Sequence, residues 1–423
     1  MEEERKKRGK RYPWELPRTV KTIHYYAGSV NSPQNIYVGG IGATLLPEFI
    51  RKQIDCTIIE GQIEKPGVLG QDSPPIAGIV PDYAILDSVD YKYEPVDAYF
   101  AKITKGCVRK CEFCAVLRLE PEFGALSPLE EQVVAIEKAH GSRRNLVIMD
   151  NNVLAVEGID RHLRTIESLG FQRGAMQGKR YRTVDFNQGI DARFIAKSPR
   201  LATALGRLAI DPIRLAFDFF SPAIERDYRK AITLLAEQDF LEFTTYLLYN
   251  YHDTPEDFYR RLQVNMELNR ELGIRVGGFP MRYVPTTDTK RGHVSKNWKW
   301  RQLRRIQCVL HATHGLVSPN PAFIAEAFGK DMGDFHRILA MPDRYIIYRK
   351  HYKHNGADAW RREYQRLSES NKKEFLDLLE RLNKDRNRKE TIAGLKKFRL
   401  LIEHYYPNGN IPPRTPDEEF ATA

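Results

Sequence analysis

Three of the five cysteines, Cys107, Cys111 and Cys114, lie within eight residues in the pattern C-x3-C-x2-C. They follow the apolar run Ala98–Ile103, which predicts a strand. Thiolates at such short spacing on one loop can converge on a single metal centre, and cysteine thiolates are the ligands of iron–sulfur clusters. Three protein ligands on a four-iron cube leave one iron open to a substrate or cofactor. We therefore predict that these cysteines bind an iron–sulfur cluster.

Zinc, a disulfide and inert thiols are the alternatives. A structural zinc site normally has four ligands, often in two C-x2-C pairs. Here Cys56 and Cys308 are isolated, and no histidine lies within the cysteine loop. Five cysteines in 423 residues are too few, and odd in number, for a disulfide framework. The ligand chemistry favours the iron–sulfur interpretation.

The whole chain has the composition of a large folded protein. Its 423 residues, 42% of them hydrophobic, suffice for two or three domains or for one barrel with additions. No apolar run reaches the roughly 18 residues that span a bilayer. The charged start has no apolar segment behind it, so no secretory signal is predicted. With free cysteines and an oxygen-sensitive cluster, we expect a cytoplasmic protein that does not enter membranes.

Strand and helix patterns alternate between residues 98 and 285, which predicts a parallel sheet. Two helix starts are marked by capping signals. Ser127-Pro-Leu-Glu130 predicts a capping box, and Thr254-Pro-Glu-Asp257 places a hydroxyl and two carboxylates at a helix start. The predicted strands are 98–104, 145–150, 183–190, 213–219, 243–249 and 274–279.

The cysteine pattern, with Phe113 just before the last cysteine, resembles the signature of the radical S-adenosylmethionine (SAM) superfamily. The resemblance implies an α/β fold with a partial (β/α)6 TIM-like barrel over residues 98–285. It also implies one [4Fe–4S] cluster whose open iron takes the amine and carboxylate of SAM. An electron from a flavodoxin-type or ferredoxin-type donor would then cleave SAM to a 5′-deoxyadenosyl radical.

The same resemblance implies SAM contacts at the strand ends, where active sites of such barrels lie. Asp150 and Asn152, after the second strand, would hold the SAM amine. An arginine at the third strand matches a carboxylate geometrically. The predicted cofactor-binding residues are Phe113, Asp150, Asn152, Gln188, Asp191, Arg193 and Asp218. No catalytic residue is assigned, and polar residues also end strands at surfaces for no chemical reason.

A Gly-rich turn lies between two apolar runs at 35–61, and this predicts a small βαβ fragment. It resembles the second half of the cobalamin-binding domain that precedes many radical SAM barrels. The cobalamin signature Asp-x-His-x-x-Gly is missing, since Asp160-Arg-His162 is not followed by its glycine. We predict no cobalamin binding. The remaining divisions are a flexible start at 1–22, a remnant fragment at 23–65, a linker at 66–97 and a helical region at 286–423.

The helical region carries the net charge of +11, with 24 Lys and Arg against 13 Asp and Glu between Lys296 and Tyr406. A basic surface can bind phosphates. Three hypotheses follow: a radical SAM enzyme acting on RNA or another phosphate-bearing molecule, the same chemistry on a peptide or small metabolite, and a non-catalytic redox sensor. Aromatic residues that could stack on bases are Trp298, Trp300, Tyr345, Tyr348, Tyr352 and Trp360. Too few cysteines remain for a second cluster.

Overall fold

The computed structural model describes residues 15–70, 72–76, 79–87, 97–289, 292–347, 356–385 and 387–406. The chain divides into two compact units. One contains Leu16–Leu248 and Arg261–Met281, and we call it the sheet unit. The other contains Tyr249–Arg260 and the described residues from Arg282 onward, together with Glu15, and we call it the helical unit.

The sheet unit begins with a helix and a small parallel pair of strands. The helix Glu15–Ala27 (α1) places Ile23 in a core with Val38, Ala43 and Ile50. It begins inside the start predicted to be flexible, because its apolar face has this core to cover; residues 1–14 lie outside the described chain. The strands Tyr37–Val38 (β1) and Thr57–Ile58 (β2) pair in parallel. The βαβ prediction is therefore confirmed, although Pro47 divides its helix into Ile41–Leu45 (α2) and Pro47–Arg51 (α3).

Six longer strands follow, each beside the next in chain order. The first three form one parallel sheet, and the last three form a second sheet. The parallel bridge Ile190–Leu215 joins the third strand region to the fourth. The six strands are Ala98–Ala101 (β3), Asn145–Ile148 (β6), Val184–Phe186 (β9), Ile213–Ala216 (β10), Glu242–Tyr249 (β11) and Arg275–Arg282 (β12).

The predicted strands are thus present, and their order is that of a β/α barrel. Among the described residues, β3 and β12 are not paired, so the structure contains no closed barrel. Shorter pairs complete the sheet unit: Thr104–Lys105 (β4) with Gly124–Ala125 (β5), and Met176–Gln177 (β7) with Arg180–Tyr181 (β8).

Helices separate the strands of the sheet unit. They are Ala84–Asp87 (α4), Val116–Leu119 (α5), Leu129–His140 (α6), Ile159–Ile166 (α7), Ala192–Lys197 (α8), Arg200–Gly206 (α9), Pro222–Ala236 (α10) and Pro255–Leu272 (α11), of which α11 belongs to the sheet unit from Arg261 onward. The Thr254 hydroxyl accepts from the Asp257 N–H and the Asp257 carboxylate accepts from the Thr254 N–H, which confirms the predicted capping at α11. The Ser127 capping box is wrong, because α6 begins after Pro128 and has no side-chain cap.

The helical unit contains Trp300–Ala312 (α12), Pro321–Ala327 (α13), Met332–Ala340 (α14), Asp343–Ile347 (α15), Ala357–Gln365 (α16), Glu369–Lys384 (α17), Arg388–Gly394 (α18) and Arg399–Glu403 (α19). Helices α18 and α19 are separate, and Phe398 between them adopts a left-handed conformation with φ 65°. No described helix has the length and apolarity needed to cross a membrane.

The aromatic residues of the helical unit mostly form its core. Trp298, Tyr345 and Trp360 are at most 4% exposed, so these three are not available to stack on bases. Trp360 lies flat on Tyr364, with ring centroids 4.9 Å apart. Their burial follows from apolar helix faces that must pack together. Tyr348 and Tyr352 lie outside the described residues, and Trp300 is partly exposed.

Candidate metal centre

The cysteine loop begins just past the carboxyl end of β3, between β4 and α5. Gly106 makes the turn into Cys107 with φ 69°. A Cβ on Gly106 would lie 2.2 Å from the backbone oxygen of Glu122, so only glycine fits this turn. At the other end of the loop, the Cys114 N–H donates to the Cys111 carbonyl at 2.9 Å. The sequence therefore folds the three cysteines into one compact turn.

The three thiols are close enough to affect one another's ionisation. Burial raises the pKa of Cys111, and negative charge on Cys114 and Cys107 raises it further. Burial likewise raises the pKa of Cys114, with a smaller contribution from Cys107. All three are partly buried and none forms a disulfide. Thiolates at this spacing repel one another, and binding a cation stabilises them.

The predicted ligands do not form a ready-made site for one ion. Within the described ranges, no group of three His, Cys, Asp or Glu side chains is arranged to hold a single metal ion. The donor set nevertheless fits an iron–sulfur cluster, which requires thiolates, and the loop carries three. Two buried oxygens without hydrogen-bond partners, Oδ1 of Asn152 and Oδ1 of Asp218, belong to residues beside these thiols. Two of the four such oxygens in the described chain are thus found beside the cysteine loop, where each can accept a hydrogen bond from a bound ligand.

Asp150 and Asn152 follow β6 and contact the cysteine loop in different ways. Both carboxylate oxygens of Asp150 are committed to the chain entering the loop. They accept from the N–H groups of Ile103 and Thr104, at 2.8 and 2.5 Å, and from the Thr104 hydroxyl at 2.6 Å. The Asn152 amide nitrogen lies 3.7 Å from the Cys107 sulfur. Asp150 therefore holds the loop, and Asn152 is the residue that faces the thiol.

Asp191 and Arg193 form a closed ion pair. Oδ1 of Asp191 accepts from Nε of Arg193 at 2.7 Å, and Oδ2 accepts from Nη2 at 2.9 Å. Oδ2 also accepts from Nε of Arg109, a loop residue between the first two cysteines, at 3.0 Å. Burial raises the pKa of Asp191, but Arg193 and Arg109 lower it more, so the net shift is downward. The predicted carboxylate-binding fork of Arg193 is thus already occupied by Asp191.

Asp218 follows β10 and lies near Cys111, Cys114 and Arg193. Burial raises the pKa of its carboxyl to about 6, against the lowering influence of Arg261 and Arg193. The buried Arg261 guanidinium donates to the carbonyls of Phe217, Asp218 and Leu248 at 2.7–2.9 Å. It thereby fixes the ends of β10 and β11.

Phe113 and Gln188 complete the predicted set. The Phe113 ring meets Phe219 edge to face, with centroids 5.4 Å apart, so Phe113 is tied to the chain after Asp218. Gln188 is exposed, and its amide nitrogen donates to Asn187 at 3.0 Å. The structure thus brings six of the seven predicted cofactor residues to the cysteine loop or its supports, whereas the Gln188 side chain contacts its neighbour Asn187.

Sequence patterns missed Glu120, Arg109 and Arg261. Glu120 accepts hydrogen bonds from the N–H of Gly106 at 2.6 Å and from the amide of Asn151 at 3.0 Å. Its other oxygen accepts from Gln62 at 2.6 Å and from Lys102. No local motif marks these residues, since their partners are distant in sequence.

These features define an α/β protein of parallel strands with a three-cysteine loop at a strand end. No protein-family model and no curated protein sequence matches the chain. Among solved structures, it is similar to the radical S-adenosylmethionine methyltransferase TsrM from Kitasatospora setae, solved with cobalamin and a [4Fe–4S] cluster bound. The TM-score is 0.42 at 13% sequence identity, and the match covers 70% of this chain and 61% of TsrM. A likeness at this level assigns neither a family nor a reaction.

Proposed function

We propose that this protein is a radical SAM enzyme with one [4Fe–4S] cluster held by Cys107, Cys111 and Cys114. The observation that carries the proposal is the compact loop of three mutually interacting thiols at the end of the first long strand, beside two buried oxygens that lack partners. When bound, such a cluster supplies the electron that cleaves SAM and so produces a radical able to abstract hydrogen from a substrate. The six consecutive strands would form the partial (β/α)6 barrel around it.

The chain's own residues divide into ligands, supports and SAM contacts. Asp150 and Asp191 support the loop, because their oxygens are already used by loop residues and Arg193. Asn152 and Asp218 are the preferred SAM contacts, since each keeps a buried oxygen free to accept from an amine or a ribose hydroxyl. Arg193 would reach a SAM carboxylate only through Nη1 or by leaving Asp191. The raised pKa values of Cys111 and Cys114 mean that cluster assembly releases protons, so loading improves as pH rises.

The first test is cluster binding by cysteine variants. Reconstituted wild type should hold about four irons per chain. Cys107→Ala, Cys111→Ala and Cys114→Ala should each lose the cluster, measured by iron content and by electron paramagnetic resonance after reduction. Cys56→Ala and Cys308→Ala are the matched controls and should keep it. Full cluster content in the Cys111 variant would overturn the ligand assignment.

The second test is SAM cleavage. Anaerobic wild type with SAM and dithionite should release 5′-deoxyadenosine and methionine, detected by chromatography. Asp218→Asn and Asn152→Ala should keep the cluster and weaken SAM binding about tenfold or more, the effect of losing one or two buried hydrogen bonds. No cleavage by fully loaded wild type, even with cell extract as a source of substrate, would leave the redox-sensor hypothesis in place of the enzyme.

The substrate proposal starts from exposed charge on the helical unit. Between Glu369 and Tyr406, five exposed cations make no ion pair within the described residues: Lys373, Arg381, Lys384, Lys389 and Lys396. Lys299, another cation of the helical unit, is instead paired with Asp377. The free set supports RNA or another phosphate-bearing substrate. A peptide or small metabolite remains the alternative, and a flavodoxin-type or ferredoxin-type protein would supply the electron.

A further inference from the structure

Glu120 is a nearly buried carboxylate, and each of its two oxygens contacts two donor groups. Its side chain is 11% exposed. Oε2 accepts from the N–H of Gly106, the residue before Cys107, and from Asn151. Oε1 accepts from Gln62 and pairs with Lys102. The Glu120 side chain therefore contacts four parts of the chain: the end of β3, the turn into the cysteine loop, the end of β6 and the segment that follows β2.

The contact with Gln62 belongs to the N-terminal fragment, residues 23–65, and this fragment makes two further contacts with the cysteine loop and its flanks. Glu64, two residues after Gln62, pairs with Lys105 at 2.5 Å, just before Gly106. Arg118, two residues before Glu120, donates to the Thr44 carbonyl in α2 at 3.2 Å. The fragment therefore holds both arms of the cysteine loop, the one that enters Cys107 and the one that leaves Cys114.

We propose that the N-terminal fragment braces the cysteine loop and that Glu120 is the positioning residue through which it acts on Cys107. The cluster-related part of this inference rests on the proposed function, whereas the bracing itself is a property of the cluster-free chain. Glu120 touches no reacting atom. It acts by fixing the Gly106 N–H, in a turn where φ is 69° and no side chain is tolerated.

The physical argument is that a carboxylate with four donors cannot be replaced by a neutral side chain without leaving donors unpaired. Hydrogen bonds to a charged group contribute about 1.5–3 kcal/mol, and an unpaired buried donor costs more than its lost bond. Glu120→Gln would also turn one NH2 group toward neighbouring N–H donors. Gln62→Ala removes only the link between Glu120 and the fragment and leaves the Gly106 contact in place.

Hydrogen exchange on the cluster-free protein tests the brace directly. Glu120→Ala should accelerate amide exchange at least tenfold in peptides covering 103–110 and also in peptides covering 60–66. Gln62→Ala should accelerate exchange at 60–66 and, to a smaller extent, at 103–110. Glu122→Gln, an exposed neighbour, is the control and should change neither. Wild-type exchange at 103–110 in both Glu120→Ala and Gln62→Ala would overturn the proposal.

Cluster measurements then separate the two proposals. If wild type binds iron, Glu120→Gln and Gln62→Ala should load iron at least tenfold more weakly or with altered resonance signals, whereas Glu122→Gln matches wild type. Unchanged loading and signals in both variants would refute the action on Cys107. If wild type binds no iron, the proposed function fails, and the exchange data still decide the brace. If Glu120→Ala does not fold, the hydrogen-exchange and iron-loading comparisons are both made with Gln62→Ala.

Discussion

Carboxylates do much of the positioning around the three cysteines. Asp150 holds the chain entering the loop, Glu120 holds the turn before Cys107, and Asp191 holds Arg109 within the loop. Each uses its oxygens for several donors at once, which fixes direction as well as distance. Asp218 is different, because one of its oxygens is buried and unpaired.

Asp218 leads to a prediction on stability and pH in the cluster-free protein. Its folded pKa of about 6 lies above the ordinary 3.8. The folded state therefore holds a proton that the unfolded chain has released, and the free energy of unfolding falls as pH rises through this interval. The Asp218→Asn variant has no carboxyl to ionise at this position, so its free energy of unfolding does not fall for this reason as pH rises. We expect the variant to be about 3 kcal/mol more stable than wild type at pH 8.

Denaturant titrations across pH measure this effect. Well below pH 3.8, the ordinary pKa of the unfolded group, both states of wild type carry the proton, so the advantage of Asp218→Asn should disappear. Asp72→Asn, an exposed position in the same unit, serves as the control and should change little at any pH. An advantage of Asp218→Asn that is independent of pH would contradict the buried-carboxyl argument.

At the scale of elements, strands and ligands differ in how far sequence patterns predict them. All six long strands and the cysteine loop were predictable, because apolar runs and C-x3-C-x2-C are local patterns. Roles such as those of Glu120 and Arg261 were not, since their partners lie far away in the chain. Asp150 was assigned to SAM because strand-end position alone cannot show that both its oxygens face the chain at Ile103 and Thr104.

The turn at Gly106, directly after β4, gives an element-scale prediction. Gly106→Ala should destabilise the loop by about 2 kcal/mol or more, because a left-handed conformation and a backbone clash both oppose a Cβ. Iron uptake and thermal unfolding would measure the change. Gly124→Ala, in the paired strand β5, is the matched control, because nothing lies within 4 Å of an added Cβ there. Equal iron uptake by the two variants would show that the Gly106 turn is not required.

On the scale of the whole molecule, the excess of positive charge lies in the helical unit. Ion pairs with neighbouring carboxylates reduce the number of these cations that can bind phosphate. Lys299 and Lys372 are paired with Asp377 and Glu369, whereas the five free cations defined above are not paired in the described chain. Burial of Trp298, Tyr345 and Trp360 removes three of the six aromatic side chains that the sequence suggested for stacking. We therefore expect the free cations to make the larger contribution to RNA binding.

This gives a prediction for salt dependence. Changing the five free cations to glutamine should reduce the slope of log affinity against log salt, by about 0.7 for each lost phosphate contact on single-stranded RNA. Fluorescence anisotropy with a labelled RNA at several salt concentrations would measure it. The double variant Lys299→Gln and Lys372→Gln is the control and should keep most of the slope. Equal slopes in the two variants would argue for the peptide or metabolite alternative.

The four-way hydrogen bonding of Glu120 has an evolutionary consequence. A mutation at position 120 alone leaves Gln62, Lys102, Asn151 and the Gly106 N–H without their common acceptor. A single substitution at position 120 should therefore be disfavoured, and we expect Glu120 and its partners to change together. Among relatives of this chain, positions 62, 102, 120 and 151 should covary as one group, although they lie in four separate stretches of sequence.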